Sequence, residues 1–152
     1  MTFDAKMPIA NDEIHVWVVD MRASEPQCAM LRGWLDAREM ERALRIPNLE
    51  KRRAFEVAHG VLRCLLGRYV GRDPGTIEFA SERGGKPKLG STEGVEFNMS
   101  HSGQWAAFAF SSNCAVGVDL EQVRAVPEKL QSFARSRDFS AKKLPKQSRA
   151  TL

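Results

Sequence analysis

Two carboxylates, Asp119 and Glu121, close the run CAVGVDLE at residues 114–121. That run, after the turn at 111–113, reads as a strand. On a strand, residues two apart share a face and lie roughly 7 Å from each other. Carboxylates that close repel unless a proton or a cation intervenes. A hard divalent ion such as Mg²⁺ suits them, because it takes one or two carboxylates and accepts phosphate oxygens in its remaining positions. Upstream, FNMS at 97–100 alternates apolar and polar, His101-Ser102-Gly103 predicts a turn, and WAAFAF at 105–110 is an apolar run of strand length. Ser111-Ser112-Asn113 marks a second turn. Folded as a meander of neighbouring strands, this stretch brings the serine and histidine turn to the sheet edge where Asp119 and Glu121 end. Ser100 and His101 could hold an anion there through the hydroxyl, the imidazole and turn N–H groups. The plain alternatives are a solvated strand end and a structural turn histidine. A Ser-His-Asp hydrolase is disfavoured, because Ser100 and His101 are adjacent and no nucleophile elbow is present.

Positioning these residues requires a sheet and a support for it. Residues 14–19 read as a first strand. Residues 27–35, after Pro26, read as a helix, and 36–48 as a charged helix or helical turn ended by Pro47. The strongest helical signal covers 49–70. Phe55, Ala58, Leu62, Leu65, Leu66 and Tyr69 recur there at helical spacing, and Gly71 and Pro74 end the helix. Residues 76–80 and 88–89 predict brief strands, and a turn at Pro127 precedes a helix through Phe133. Met99, Trp105, Phe108 and Phe110 are expected in the core. The expected fold class is α+β, with helices on one face of a mainly antiparallel sheet.

Two basic features flank the acidic pair in sequence. Lys86 follows Gly84-Gly85 and precedes Pro87, which stiffens its backbone. Arg42, Arg45, Arg52 and Arg53 cluster before and at the start of the long helix, with Glu39, Glu41 and Glu50 able to neutralise part of that charge. An exposed loop lysine and a solvated charged face are the plain readings of these two features.

Composition bounds the remaining choices. At 152 residues the chain is one domain with room for a single core. No apolar run approaches membrane-spanning length, and the N-terminal residues lack the apolar segment of a secretory signal. Cys28, Cys64 and Cys114 are odd in number and widely spaced. Buried free thiols in a cytoplasmic protein are therefore expected, not a disulfide framework or a zinc site. Six of the 23 Lys/Arg but only one of the 19 acids, Asp138, fall in residues 135–152, so the net charge of +4 belongs to the tail. A nucleic-acid-binding domain built on that tail has no recognisable motif behind it.

Gly85-Lys86-Pro87, then Phe97-Asn98-Met99-Ser100-His101-Ser102, then Val116-Gly117-Val118-Asp119-Leu120-Glu121 resemble, in order and spacing, the first two signature motifs of the large, surfactin-synthetase-activating 4′-phosphopantetheinyl transferases. The resemblance covers roughly residues 14–152. It implies one half of a pseudo-dimeric α+β fold and Mg²⁺-dependent transfer of the phosphopantetheine arm of coenzyme A onto a serine of an acyl or peptidyl carrier protein. By the same resemblance, Asp119, Glu121 and His101 belong to the catalytic set, and Asp119 and Glu121 are two of three acidic metal ligands. Ser100 and His101 contact the pyrophosphate of coenzyme A, Lys86 lies near its phosphates, and Arg45 with Arg53 meets the 3′-phosphate. The family's R-R-R-F stretch stands here as Arg52-Arg53-Ala54-Phe55, and His59 occupies a place where Arg is common. The family's third signature, a W-x-x-K-E-A-x-x-K helix that brings the third ligand, does not occur in these residues. The expectation is a truncated chain, with a transferase-like domain at 1–134 and a basic tail at 135–152. Its exposed half-interface would favour self-association, and a remnant that binds coenzyme A or carrier protein without turnover is the alternative to an enzyme.

Overall fold

The computed structural model describes residues 6–80, 88–89, 94–112 and 114–123. Lys86, the turn and helix expected after Pro127 and the basic tail at 135–152 lie outside the described residues.

The first strand, β1, spans Ile14–Asp20. Helix α1 covers Glu25–Arg32. It starts earlier than its apolar residues suggest, because Ser24 and Gln27 form a capping pair in which the Ser24 N–H donates to Gln27 Oε1 at 2.8 Å. Pro26 falls in the first turn, where its missing N–H costs nothing. Helix α2 covers Ala37–Leu44. Its cap is reciprocal: Glu39 N–H donates to Asp36 Oδ1 at 2.8 Å and Asp36 N–H to Glu39 Oε2 at 3.0 Å. Helix α3 runs over Leu49–Val70, as its periodicity predicts. Asn48 accepts the Lys51 N–H at 2.9 Å to start it, and Gly71 ends it at φ 71°, a conformation only glycine adopts without strain. A 3-10 turn at Pro74–Thr76 follows, then β2 (Phe79–Ala80) paired with β3 (Lys88–Leu89). The hairpin β4 (Val95–Ser102) and β5 (Trp105–Ser112) completes the described elements.

Among the described residues the main sheet has three antiparallel strands in the order β1-β5-β4. Ile14 lies opposite Ser111 and Asp20 opposite Trp105, while Val95 lies opposite Ser112 and Ser102 opposite Trp105. Side chains alternate across a strand. Val19, Phe97, Ala106, Phe108 and Phe110 thus meet Ala58, Val61, Leu62, Leu65, Leu66 and Tyr69 of α3 in one core. Each fully buried large apolar side chain there contributes about 1.5–3 kcal/mol relative to exposure. The Tyr69 hydroxyl ties this layer to β1, with Trp17 Nε1 donating to it at 2.9 Å and His15 Nδ1 lying 2.8 Å away. Helix α1 packs on α3 where Gly60 lets it approach. A Cβ at Gly60 would stand 2.6 Å from Leu31 Cβ.

The expected α+β class is what the structure shows, with α3 and its companions on one face. Three expectations change. The run at 114–121 is not a strand, because β5 has two edges and β4 and β1 occupy both. Trp105 is only half-buried and shares the outer face with Ala107 and Ala109, leaving Phe108 and Phe110 to fill the core. Of the cysteines only Cys28 is buried; Cys64 is half-buried and Cys114 exposed.

Candidate functional site

Strand β4 continues through His101 and Ser102, so the turn is the two-residue loop Gly103-Gln104. Gly103 adopts φ 60°, the positive value a tight hairpin loop asks of its first residue. Strand alternation then places Asn98, Ser100 and Ser102 on the outer face of β4, and Met99 and His101 on the face toward α3. The turn expected to gather Ser100 and His101 beside the carboxylates therefore separates them. Ser100 meets Asp119, whereas the exposed His101 belongs to the opposite face of the strand.

Residues 114–123 pass along the outward side chains of β4. Asn98 Nδ2 donates to the Val116 carbonyl at 3.4 Å. The Ser100 hydroxyl donates to Asp119 Oδ1 at 3.0 Å and accepts the Leu120 N–H at 3.1 Å. The Ser102 hydroxyl accepts the Gln122 N–H at 3.0 Å. Exposure alternates along the segment, with Val116, Val118 and Leu120 half-buried and Gly117, Asp119 and Glu121 exposed. Both carboxylates of the D-x-E pair thus reach solvent. Leu120 N–H also reaches Asp119 Oδ1, at 2.9 Å, so that oxygen is engaged twice.

The basic cluster divides by task. Arg52 is structural: its guanidinium donates to the Ile46 carbonyl at 2.9 and 3.1 Å, closing the α2–α3 connection. Arg42 lies 5.5 Å from the centroid of the Phe55 ring. Arg45, the C-cap of α2, pairs on the surface with Glu41 at 2.6 Å. Arg53 donates to the Ala23 carbonyl at 2.9 Å and pairs with Glu25 at 3.4 Å. Ala23 lies two residues after Met21, whose N–H donates to the Gln104 carbonyl in the β4–β5 loop at 2.8 Å. Arg53 is therefore linked through one short stretch of chain to the loop that follows Ser100, His101 and Ser102. Among the described residues no contact of Arg45 reaches that end.

Sequence reasoning missed a second polar cluster. Arg63 is fully buried, with Nε 2.6 Å from Glu39 Oε2 and Nη2 2.8 Å from Asp36 Oδ2; Nη1 donates to the Pro74 and Ile77 carbonyls at 3.1 and 2.9 Å. His59 Nδ1 lies 2.9 Å from Glu39 Oε1, and its ring stacks on Phe55. Glu39 accordingly serves Arg63 and His59, not the surface arginines. Burial pushes the Glu39 carboxyl upward. The bonds from His59 and the Asp36 N–H, with the Arg63 guanidinium, outweigh that and hold it below the ordinary glutamate value. The available signal was an arginine inside the apolar face of α3. This cluster braces α2, α3 and the 3-10 turn.

Two hard, solvent-facing carboxylates in one short segment match the donor chemistry Mg²⁺ prefers, with positions left over for phosphate oxygens. Among the described residues no group of three or more His, Cys, Asp or Glu side chains comes together to hold a metal. An acidic pair fixed to a serine at a sheet edge, with Arg53 tied in at the same end, has the donors to handle a phosphorylated ligand together with a cation. By sequence the chain is homologous to the 4′-phosphopantetheinyl transferases. The 4′-phosphopantetheinyl transferase HetI of Nostoc sp. is 36% identical over 132 residues, which are 85% of this chain and 55% of the relative. The 4′-phosphopantetheinyl transferase Sfp of Bacillus subtilis is 24% identical over 108 residues, 71% of this chain and 48% of that one. A putative 4′-phosphopantetheinyl transferase of Synechocystis sp. is 30% identical over 99 residues, 64% of this chain and 40% of that one. The chain spans about half the length of the curated relatives it matches. No family model matches it.

Proposed function

We propose that this chain supplies the coenzyme A and metal side of a 4′-phosphopantetheinyl transferase. In that reaction the hydroxyl oxygen of a carrier-protein serine bonds to the phosphorus bearing the pantetheine arm. The phosphoanhydride bond breaks, 3′,5′-ADP leaves, and the serine proton passes to a base. Asp119 and Glu121 would hold Mg²⁺, which would offset the charge of the pyrophosphate. Ser100 and Lys86 are assigned to the pyrophosphate end, and Arg53, ahead of Arg45, to the 3′-phosphate. The observation that carries this reading is the bond between Ser100 and Asp119, which unites the two signature motifs in one place. An acyl or peptidyl carrier protein is the proposed acceptor and the cytoplasm the proposed location.

The proposal extends to how the chain is completed. Ile14, Val16 and Val18 lie on the outer face of edge strand β1 and are 59%, 42% and 39% exposed. A second transferase half, or a second copy of this chain, would cover that strip. Among the described residues no helix is long and apolar enough to cross a membrane.

The test has two parts. Calorimetry should show coenzyme A and Mg²⁺ strengthening each other's binding, with the metal dependence lost in the Asp119→Asn/Glu121→Gln double variant. Coenzyme A affinity that ignores EDTA in the unsubstituted chain would refute the site. A carrier-protein mass-shift assay, run with and without an added second half, then separates transfer from binding alone. Size-exclusion chromatography of the same samples reads self-association.

A further inference from the structure

We propose that Ser102 is a positioning residue for the acidic pair and that Ser100 and Ser102 together act as a two-tooth comb that sets Asp119 and Glu121 in register. The inference rests on the reading that Asp119 and Glu121 hold a divalent cation.

A strand edge normally fixes its neighbour through a ladder of backbone bonds. Among the described residues no backbone ladder joins 118–123 to β4, yet the two carboxylates must be held in place to bind a metal well. The side chains of β4 substitute for it. Ser100 and Ser102 are two apart on one face, and they accept the N–H groups of Leu120 and Gln122, also two apart. The equal spacing lets the two segments run together with hydroxyls as the rungs. Asp119 is fixed twice, by its own bond from Ser100 and by the anchored Leu120 amide. Glu121 lies between the two anchored amides, so its backbone is clamped on both sides. A further contact locks the far end: the Gln122 side chain packs against Gly103, where a Cβ would stand 3.2 Å from Gln122 Oε1. His101, between the two serines in sequence, faces the other way and takes no part in the comb. The two outward serines thus have a task separate from any phosphate contact. For Ser102, whose hydroxyl meets the segment through the Gln122 amide, positioning is the role the geometry assigns.

The experiment compares the full chain with Ser102→Ala and Ser102→Thr. Threonine keeps the hydroxyl and suits a strand. Amide exchange followed by NMR on the metal-free protein should show Gln122 exchanging at least several-fold faster in Ser102→Ala, with the core amides of α3 unchanged. The Mg²⁺ concentration needed for half-maximal coenzyme A binding should rise roughly two- to ten-fold, the range a single net hydrogen bond supports. Coenzyme A affinity at saturating Mg²⁺ should stay the same, and Ser102→Thr should restore the wild-type Mg²⁺ requirement. An unchanged Gln122 exchange rate would overturn the comb. Faster exchange with an unchanged Mg²⁺ requirement would overturn its positioning role. A wild-type chain whose coenzyme A binding ignores EDTA would overturn the metal reading, and the positioning proposal with it.

Discussion

Arg63→Met should be among the most damaging single substitutions in the α2–α3 half of the domain. The arginine makes four hydrogen bonds from a position with no solvent contact: to Glu39, to Asp36, and to the carbonyls of Pro74 and Ile77. Methionine fills similar space but satisfies none of them. Glu39 would keep its contacts with His59 and the Asp36 N–H while losing its main counter-charge. The Ile77 carbonyl would lose its bond from the guanidinium, while the Pro74 carbonyl would keep only the Ile77 N–H at 3.4 Å. Removing one partner of a buried ion pair costs about 3–5 kcal/mol, and a stranded buried polar group about 1–3 kcal/mol. These figures overlap, since the bonds share one side chain, so about 3–5 kcal/mol is the expected loss. Against a total of about 5–15 kcal/mol for an ordinary domain, this brings the fold close to its threshold. Urea unfolding followed by tryptophan fluorescence would measure it. The Arg63→Met/Glu39→Met double variant should be less damaged than the sum of the single variants, because removing both ends leaves no buried charge. Arg63→Lys should fall between wild type and Arg63→Met, since an ammonium cannot reproduce the planar fork. A loss below about 1 kcal/mol for Arg63→Met, or strict additivity in the double variant, would refute the reasoning.

Gly60→Ala sets a helix-propensity gain of about 1 kcal/mol against overpacking of about 1–3 kcal/mol at Leu31. A net loss of about 1 kcal/mol is expected, and a gain in melting temperature would mean that α1 yields freely. The lowered Glu39 pKa makes its contribution fully present above the ordinary glutamate value of about 4.3; that contribution is lost as pH falls through the still lower folded value. Glu39→Gln should therefore flatten the acid limb of stability measured between about pH 5 and pH 2. Arg53→Ala should narrow the preference for coenzyme A over dephospho-coenzyme A several-fold, read by calorimetry with both ligands. An unchanged ratio would remove Arg53 from the 3′-phosphate.

Helix α3 was legible from sequence because a long run with one apolar face and a Gly stop leaves one solution. The D-x-E segment was legible as a stretch returning beside Ser100, and the Ser100–Asp119 bond is where it returns, although it is not a strand. Its pairing was not legible, because a strand-like run does not report what covers it. The same pattern serves a strand laddered to β5 and a segment hung on serine hydroxyls. The partner of β5 was hidden for a different reason. Pairing with β1 is a choice made across most of the chain, and no local signal separates it from pairing with the next segment. The roles of Arg52 and Arg63 escaped because arginines in a charged helix look alike until the fold decides which are enclosed.

The pairing of β1 with β5 also orders events during synthesis. Ile14 finds Ser111 only after the ribosome has made all the residues between them. Until β5 emerges, the apolar faces of α3 and β1 have no central strand to close over them. Local helix formation can precede this, but the sheet forms around β5, the last of its three described strands to be made. Closing so long a loop before its contacts repay the entropy predicts slow folding for the size of the chain. During that interval the nascent β1, with its run of Val and Ile, is open to chaperones and to other unfinished chains.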